Sequence, residues 1–157
     1  MTHLNTNRET LIRTSIETFW QTVPPVWRNI RAYTHQVAMQ NYQVTMAQFS
    51  ILREIHQGKT SVSQLAEAGH ISRPAISRLV DILVRKNLVN RLDDPTDRRH
   101  VNLSLTSEGE RLLSGIFDLT HRWMLQKLSL LDEQELNTII HALQLLRSAF
   151  HTKEDSQ

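Results

Sequence analysis

Six side chains in one short run have the chemistry to read a nucleic-acid duplex. The run Ser72-Arg73-Pro74-Ala75-Ile76-Ser77-Arg78 places two guanidinium forks and two hydroxyls within seven residues, with the small Pro74 and Ala75 between them. A planar fork can bond the O6 and N7 edge of guanine, and small apolar groups can sit against thymine methyls. Ser72 has the chemistry of a helix cap that also touches phosphate, while Arg85 and Lys86, further along, suit phosphate or solvent better than a base edge. A second cluster, Asp94-Pro95-Thr96-Asp97-Arg98-Arg99, joins turn residues to two adjacent arginines. A narrow minor groove has enhanced negative potential and attracts such a side chain.

Other chemistries find less support. There are eight histidines but no cysteine, and no His-x-x-x-His pair of helical ligand spacing, so no metal site is expected. No serine, histidine and acid constellation is recognisable, and no Gly-rich loop could cradle a phosphate, so no enzyme activity or cofactor is expected. Trp20, Trp27, Tyr33 and Tyr42 could stack on an aromatic ligand, though such rings are more often core, here of the dimer and the lobe junction.

The elements that must position these groups are legible from periodicity. From Arg73 to about Lys86, Ile76, Leu79, Val80 and Leu83 fall at i, i+3, i+4 and i+7, the inner face of a helix. Pro74, Arg78, Asp81 and Arg85 then face outward, flanked by Arg73 and Ser77. A shorter helix precedes it, opened by the capping spacing Ser61-Val62-Ser63-Gln64 and stopped at Gly69. Two helices joined by a short Gly-containing turn make a helix-turn-helix. Leu88 to Leu92 and Val101 to Leu105 alternate as strands, with the arginine pair in the hairpin tip between them. Upstream, Thr45-Met46-Ala47-Gln48 predicts a capped helix stopped by Gly58. Pro24-Pro25 predicts a break between a helix ending near Thr22 and another from about Pro25 to Met39. Downstream, one helix runs from Thr106 to about Ser129, and a last one, capped by Asp132 and Glu135, carries Leu136, Ile139, Ile140, Leu143, Leu146 and Phe150.

The balance of 18 basic against 16 acidic residues gives a net charge of only +2. The positive charge is concentrated: Arg73, Arg78, Arg85, Lys86, Arg91, Arg98 and Arg99 stand against Asp81, Asp93, Asp94 and Asp97. A hydrophobic content of 39% in 157 residues allows one ordinary globular core. The terminal helices carry more apolar surface than such a core needs, which predicts mutual burial in a dimer rather than a monomeric bundle. The absence of cysteine, of an apolar leader and of a membrane span predicts a cytoplasmic protein.

Three runs, taken together and in order, resemble the MarR family of winged helix-turn-helix regulators. They are Ser72 to Asp81, Lys86 to Arg91, and Asp94 to Arg99 followed by Val101 to Gly109, and the likeness extends from about Pro25 to Phe150. The resemblance implies a mainly α fold with a small β-hairpin. Residues 1–44 and 106–157 would be helical dimerisation regions and residues 45–105 the DNA-binding lobe. It implies a homodimer on a palindromic operator in double-stranded DNA, usually repressing, and released by a small anion that is often phenolic or an aromatic carboxylate. Arg99 resembles the arginine that enters the minor groove, and Asp97 the aspartate that holds the wing through an arginine. Asn87 departs from the family's usual glycine, but asparagine tolerates left-handed backbone. A winged-helix interaction subunit that does not read DNA is the alternative, and it would have no need of the basic face.

Overall fold

Pro24 and Pro25 do not divide the first helix. In the computed structural model, helix α1 runs without interruption over Thr2–Tyr42, with both prolines inside it. Each proline lacks an N–H, so the carbonyls of Trp20 and Gln21 lose their helical donors. Both residues are exposed, and water can satisfy those carbonyls at small cost. The expected break is therefore replaced by a continuous 41-residue rod. The structure describes residues 2–93 and 101–150, with side chains over 7–92 and 102–150.

Helix α2 (Met46–His56) begins where the capping residues require. Thr45 accepts from the Gln48 N–H and the Gln48 side chain accepts from the Thr45 N–H. Helix α3 (Val62–Gly69) repeats the device with Ser61 and Gln64. Helix α4 (Arg73–Arg85) follows after a turn, and then strands β1 (Val89–Asp93) and β2 (Val101–Leu105). The strands pair antiparallel, with Val89 opposite Leu105 and Arg91 opposite Leu103. The outer N–H of Leu103 donates to the Thr60 carbonyl at 2.8 Å, which fastens the hairpin to the segment before α3. Helix α5 covers Ser107–Leu128 and α6 covers Glu133–Phe150.

The chain divides into two compact units, Met1–Thr120 and His121–Gln157. The core of the first is built from Val44, Phe49, Leu52, Ile76, Val80, Leu83, Leu103, Leu113 and Ile116, with Val37 and Ala38 of α1. In the same unit, Leu11, Ile16, Trp20 and Trp27 of α1 remain exposed, Trp20 at 67%. In the second unit α6 buries no residue at all; Ile140, Leu143, Leu145 and Phe150 are all open. Asp132 and Glu135 close a reciprocal cap at the start of α6.

Two glycines set how closely elements approach. A Cβ on Gly109 would lie 2.1 Å from the Leu88 carbonyl oxygen, so only glycine lets the first turn of α5 lie against the entry to β1. A Cβ on Gly115 would meet the Tyr42 hydroxyl at 2.0 Å, so the same helix is notched to receive the end of α1. No helix among the described residues is long and apolar enough to cross a membrane.

Candidate nucleic-acid interface

Helix α4 is strongly two-faced. Ile76, Val80 and Leu83 are at most 2% exposed and Leu79 packs against the same core. Ser72, Arg73, Pro74, Arg78 and Arg85 are exposed, and Ala75 and Ser77 are half-buried along the margin. Of the residues that periodicity placed outward, Pro74, Arg78 and Arg85 are in solvent and Asp81 is half-buried. Among the wing-tip residues, Asp97, Arg98 and Arg99 lie outside the described residues.

The start of α4 differs from expectation at one atom. Ser72 occupies the N-cap position with extended backbone, but its hydroxyl makes no cap hydrogen bond. The Ala75 and Ile76 N–H groups are taken by the Ser72 carbonyl instead, at 3.0 and 3.1 Å. Pro74 removes a further donor from the first turn. The hydroxyl thus takes no part in capping, at a helix end whose dipole favours an anion.

The turn before α4 is not made by its glycine. Gly69 is the last residue of α3, and His70 takes the left-handed conformation at φ 49°. Histidine is among the few non-glycine residues enriched there, so the turn's signal lies in His70 and not in Gly69 beside it. At the other end of α4, Asn87 sits at φ 57°, so asparagine does fill a position that calls for left-handed backbone. The Asn87 carbonyl accepts from the Thr106 hydroxyl at 2.7 Å, and the Thr106 hydroxyl oxygen in turn accepts from the Gly109 N–H at 2.9 Å.

Two charged residues of this region face the protein. Lys86, expected at phosphate or in solvent, donates its ammonium to the Gln43 carbonyl at 2.6 Å, tying the end of α4 to the loop after α1. Asp81, read as merely outward, accepts from Arg91 at 2.8 Å and ties α4 to strand β1. Both partners are well exposed, so the pair contributes about 0.2–1 kcal/mol. It fixes direction more than it adds stability. Among the described residues no group of three His, Asp or Glu side chains comes together to hold a metal.

A cavity of about 520 Å³ lies between α1, α2 and α5. Its walls come from α1 (Trp27, Ile30, Arg31, Thr34), α2 (Met46, Phe49, Ser50, Arg53), α5 (Phe117, Thr120), Gly69 at the end of α3 and Ile71 in the turn after it. Of the four aromatic residues considered for stacking, only Trp27 lines it. Tyr42 packs into the Gly115 notch, Tyr33 lies against the core, and Trp20 is on the open face of α1. Phe49 and Phe117, edge to face at 5.7 Å, are aromatic walls that the sequence did not distinguish from core. Beside the cavity Glu54 binds Lys59 and Arg53. The Lys59 hydrogen bond, aided by that of Arg53, holds the Glu54 carboxyl below its ordinary value against the opposing effect of burial.

Comparison with known proteins agrees with this architecture. The sequence profile of the MarR family matches residues 44–101. The HTH-type transcriptional repressor MdtR of Bacillus subtilis is 32% identical over 118 residues, 74% of this chain and 76% of that one. The uncharacterised HTH-type transcriptional regulator YhbI of Bacillus subtilis is 37% identical over 79 residues. That match takes in 50% of this chain and spans about half of the relative, 51%. Among solved structures, the YusO protein of Bacillus subtilis superposes with a TM-score of 0.71 at 26% identity, covering 87% of this chain and 97% of that one.

Proposed function

This chain belongs to the MarR family of transcriptional regulators, and from that premise we propose that it is a homodimeric repressor that reads a palindromic operator and releases it when a small ligand binds. The observation that carries the proposal is the division of α4 into a buried apolar face and an open face holding Ser72, Arg73, Pro74 and Arg78. In this reading Arg73, Ser77 and Arg78 approach base edges in the major groove. Pro74 and Ala75 meet thymine methyls, and Ser72 and Arg85 meet phosphates. Arg98 and Arg99 extend the contact into the minor groove, with Asp97 holding the wing.

Residues 45–105 serve as the DNA-binding lobe, and residues 1–44 and 106–157 pair two copies. The open apolar faces of α1 and α6 support the pairing, because each leaves large side chains in water that a second copy could cover. Pairing sets two α4 helices about 34–36 Å apart, one duplex turn. The cavity between α1, α2 and α5 supports the ligand step. It is mostly apolar, with aromatic walls and two arginines, which suits a flat body bearing one negative group. A ligand bound better by a DNA-incompetent state lowers operator affinity by that difference alone.

A salt titration on selected operator and on random DNA tests the first part. Steep salt dependence together with a large specific-to-random ratio is expected. Equal affinity for both DNAs would leave a winged-helix interaction subunit as the better description.

A further inference from the structure

Helix α1 has an interrupted ladder in its middle. Pro24 and Pro25 both lie inside the helix. Each lacks the N–H that would close a rung, so two successive rungs, those on the Trp20 and Gln21 carbonyls, are absent. Alanine at either place would restore a rung and is the best helix former, whereas proline in a helix interior is the worst. Two missing rungs side by side make this the softest point of the 41-residue helix, since sharp bends in long helices occur at such places.

The interruption lies just before α1 enters the core. Thr34, Val37 and Ala38 are buried, and Ile30 and Tyr33 are half-buried beside them. From Asn7 to Asn29 no residue is buried, and Ile12, Ile16, Val23 and Val26 are each more than a third exposed. Yet one apolar stripe crosses the interruption. Beginning at Ile12 and ending at Val37, apolar residues recur at alternating steps of four and three, the spacing of a seam between helices. After the prolines that seam packs on the chain's own core. Before them it belongs to the pairing region proposed above.

We infer that Pro24-Pro25 is a joint between the part of α1 packed on the core and the part that pairs with a second copy, and that it sets how far the spacing of two half-sites can depart from one duplex turn. The inference rests on the homodimer reading above and adds to it the residues that decide spacing specificity. The magnitudes agree. Each added base pair moves a half-site by about 3.4 Å and turns it by about 35°. From Arg8 to Val23 the arm is about 24 Å long, so a bend of about 10° displaces its end by about 4 Å. The turn, shared between the joints of two copies, is about 17° for each, which is less than the kinks above about 20° that proline produces. With the ladder complete, the same bend must lengthen hydrogen bonds along one side of the helix.

The test uses the full chain with Pro24→Ala and Pro25→Ala combined, a variant expected to melt higher than the natural chain because its helix gains two bonds. Anisotropy measures affinity for a selected operator and for duplexes with one base pair added or removed between the half-sites. The natural chain is expected to lose less than about tenfold for one base pair, and the double variant roughly 10²-fold, toward its affinity for a single half-site. Thr18→Ala raises helix propensity in the same arm but keeps both prolines, and is expected to behave as the natural chain. The chain has no cysteine, so Glu67→Cys on the exposed side of α3 gives one spin label per copy. The distance between the two labels of a dimer is expected to be broadly distributed with the prolines and narrow without them. Equal losses on the altered duplexes in the natural chain and the double variant overturn the inference and leave the dimer standing. Losses in Thr18→Ala as large as in the double variant overturn it also, because helix stability and not the joint then sets the spacing. A natural chain that binds the operator no better than a single half-site and gives no distance between labels overturns the homodimer reading and this inference together.

Discussion

At the scale of single residues, exposure separates side chains that composition treats alike. Arg85 and Lys86 are adjacent cations, and sequence alone offers both to phosphate. In the fold Arg85 points to solvent while Lys86 holds the Gln43 carbonyl. Arg85→Met should therefore lower the magnitude of the salt dependence of DNA binding by about one phosphate contact. Lys86→Met should leave that slope unchanged, and equal slope changes in a salt titration would contradict this assignment. Arg78 stands on the open face of α4, and the proposed function puts it at a base edge. Arg78→Ala should cost about 1–3 kcal/mol of operator affinity and relax preference at one base pair, read by competition between operator variants. These positions were legible because a period of 3.6 residues divides inside from outside. The role of Lys86 was not, because its partner, the Gln43 carbonyl, is brought to it only by the packing of the loop after α1 against the end of α4.

At the scale of elements, the sequence specified helix starts better than helix continuity. Thr45, Ser61 and Asp132 announce their helices because capping is local, involving atoms three residues apart. The double proline misled because its effect depends on whether the freed carbonyls can reach water, which is a property of the surrounding fold. The turns at His70 and Asn87 show the same limit, since left-handed backbone is tolerated by several residues and only context demands it. Close approach is tested at Gly115. Gly115→Ala should lose about 1–3 kcal/mol to overpacking, and combining it with Tyr42→Phe should lose less than the sum, because the clash is chiefly with the hydroxyl. Additive losses in chemical denaturation would remove Tyr42 from that account. The Glu54 cluster between α2 and Lys59 makes a pH-dependent prediction. A carboxyl whose value is lowered on folding stabilises the protein above its unfolded value of 4.5, and that contribution fades as pH falls through the lowered value. Glu54→Gln should thus be less stable than the natural chain at pH 7 and converge with it in acid, as followed by melting temperature across pH.

At the scale of the whole molecule, the open question is what covers the apolar side chains that each compact unit leaves in water. In the first unit these are Leu11, Ile16, Trp20 and Trp27, and in the second Ile140, Leu143, Leu145 and Phe150. A helix with no buried residue has no folding reason of its own to carry four such groups, so α6 points to a partner, and the palindromic operator proposed above would call for a second copy. Pairing would also multiply affinity. With one α4 of a dimer seated, the second would bind at the high effective concentration set by the dimer, a gain of up to about 10²–10⁴. Replacing Leu143 with arginine places a charge on the open α6 face and leaves the sequence of α4, the wing and the cavity wall unchanged. Leu143→Arg should appear as a monomer in analytical ultracentrifugation while keeping its helical circular dichroism. Its affinity for a single half-site should be nearly that of the natural chain, whereas its affinity for the full operator should fall toward the half-site value. A variant that remains dimeric, or a monomer that holds the full operator undiminished, would show that this face does not set the spacing of the two helices.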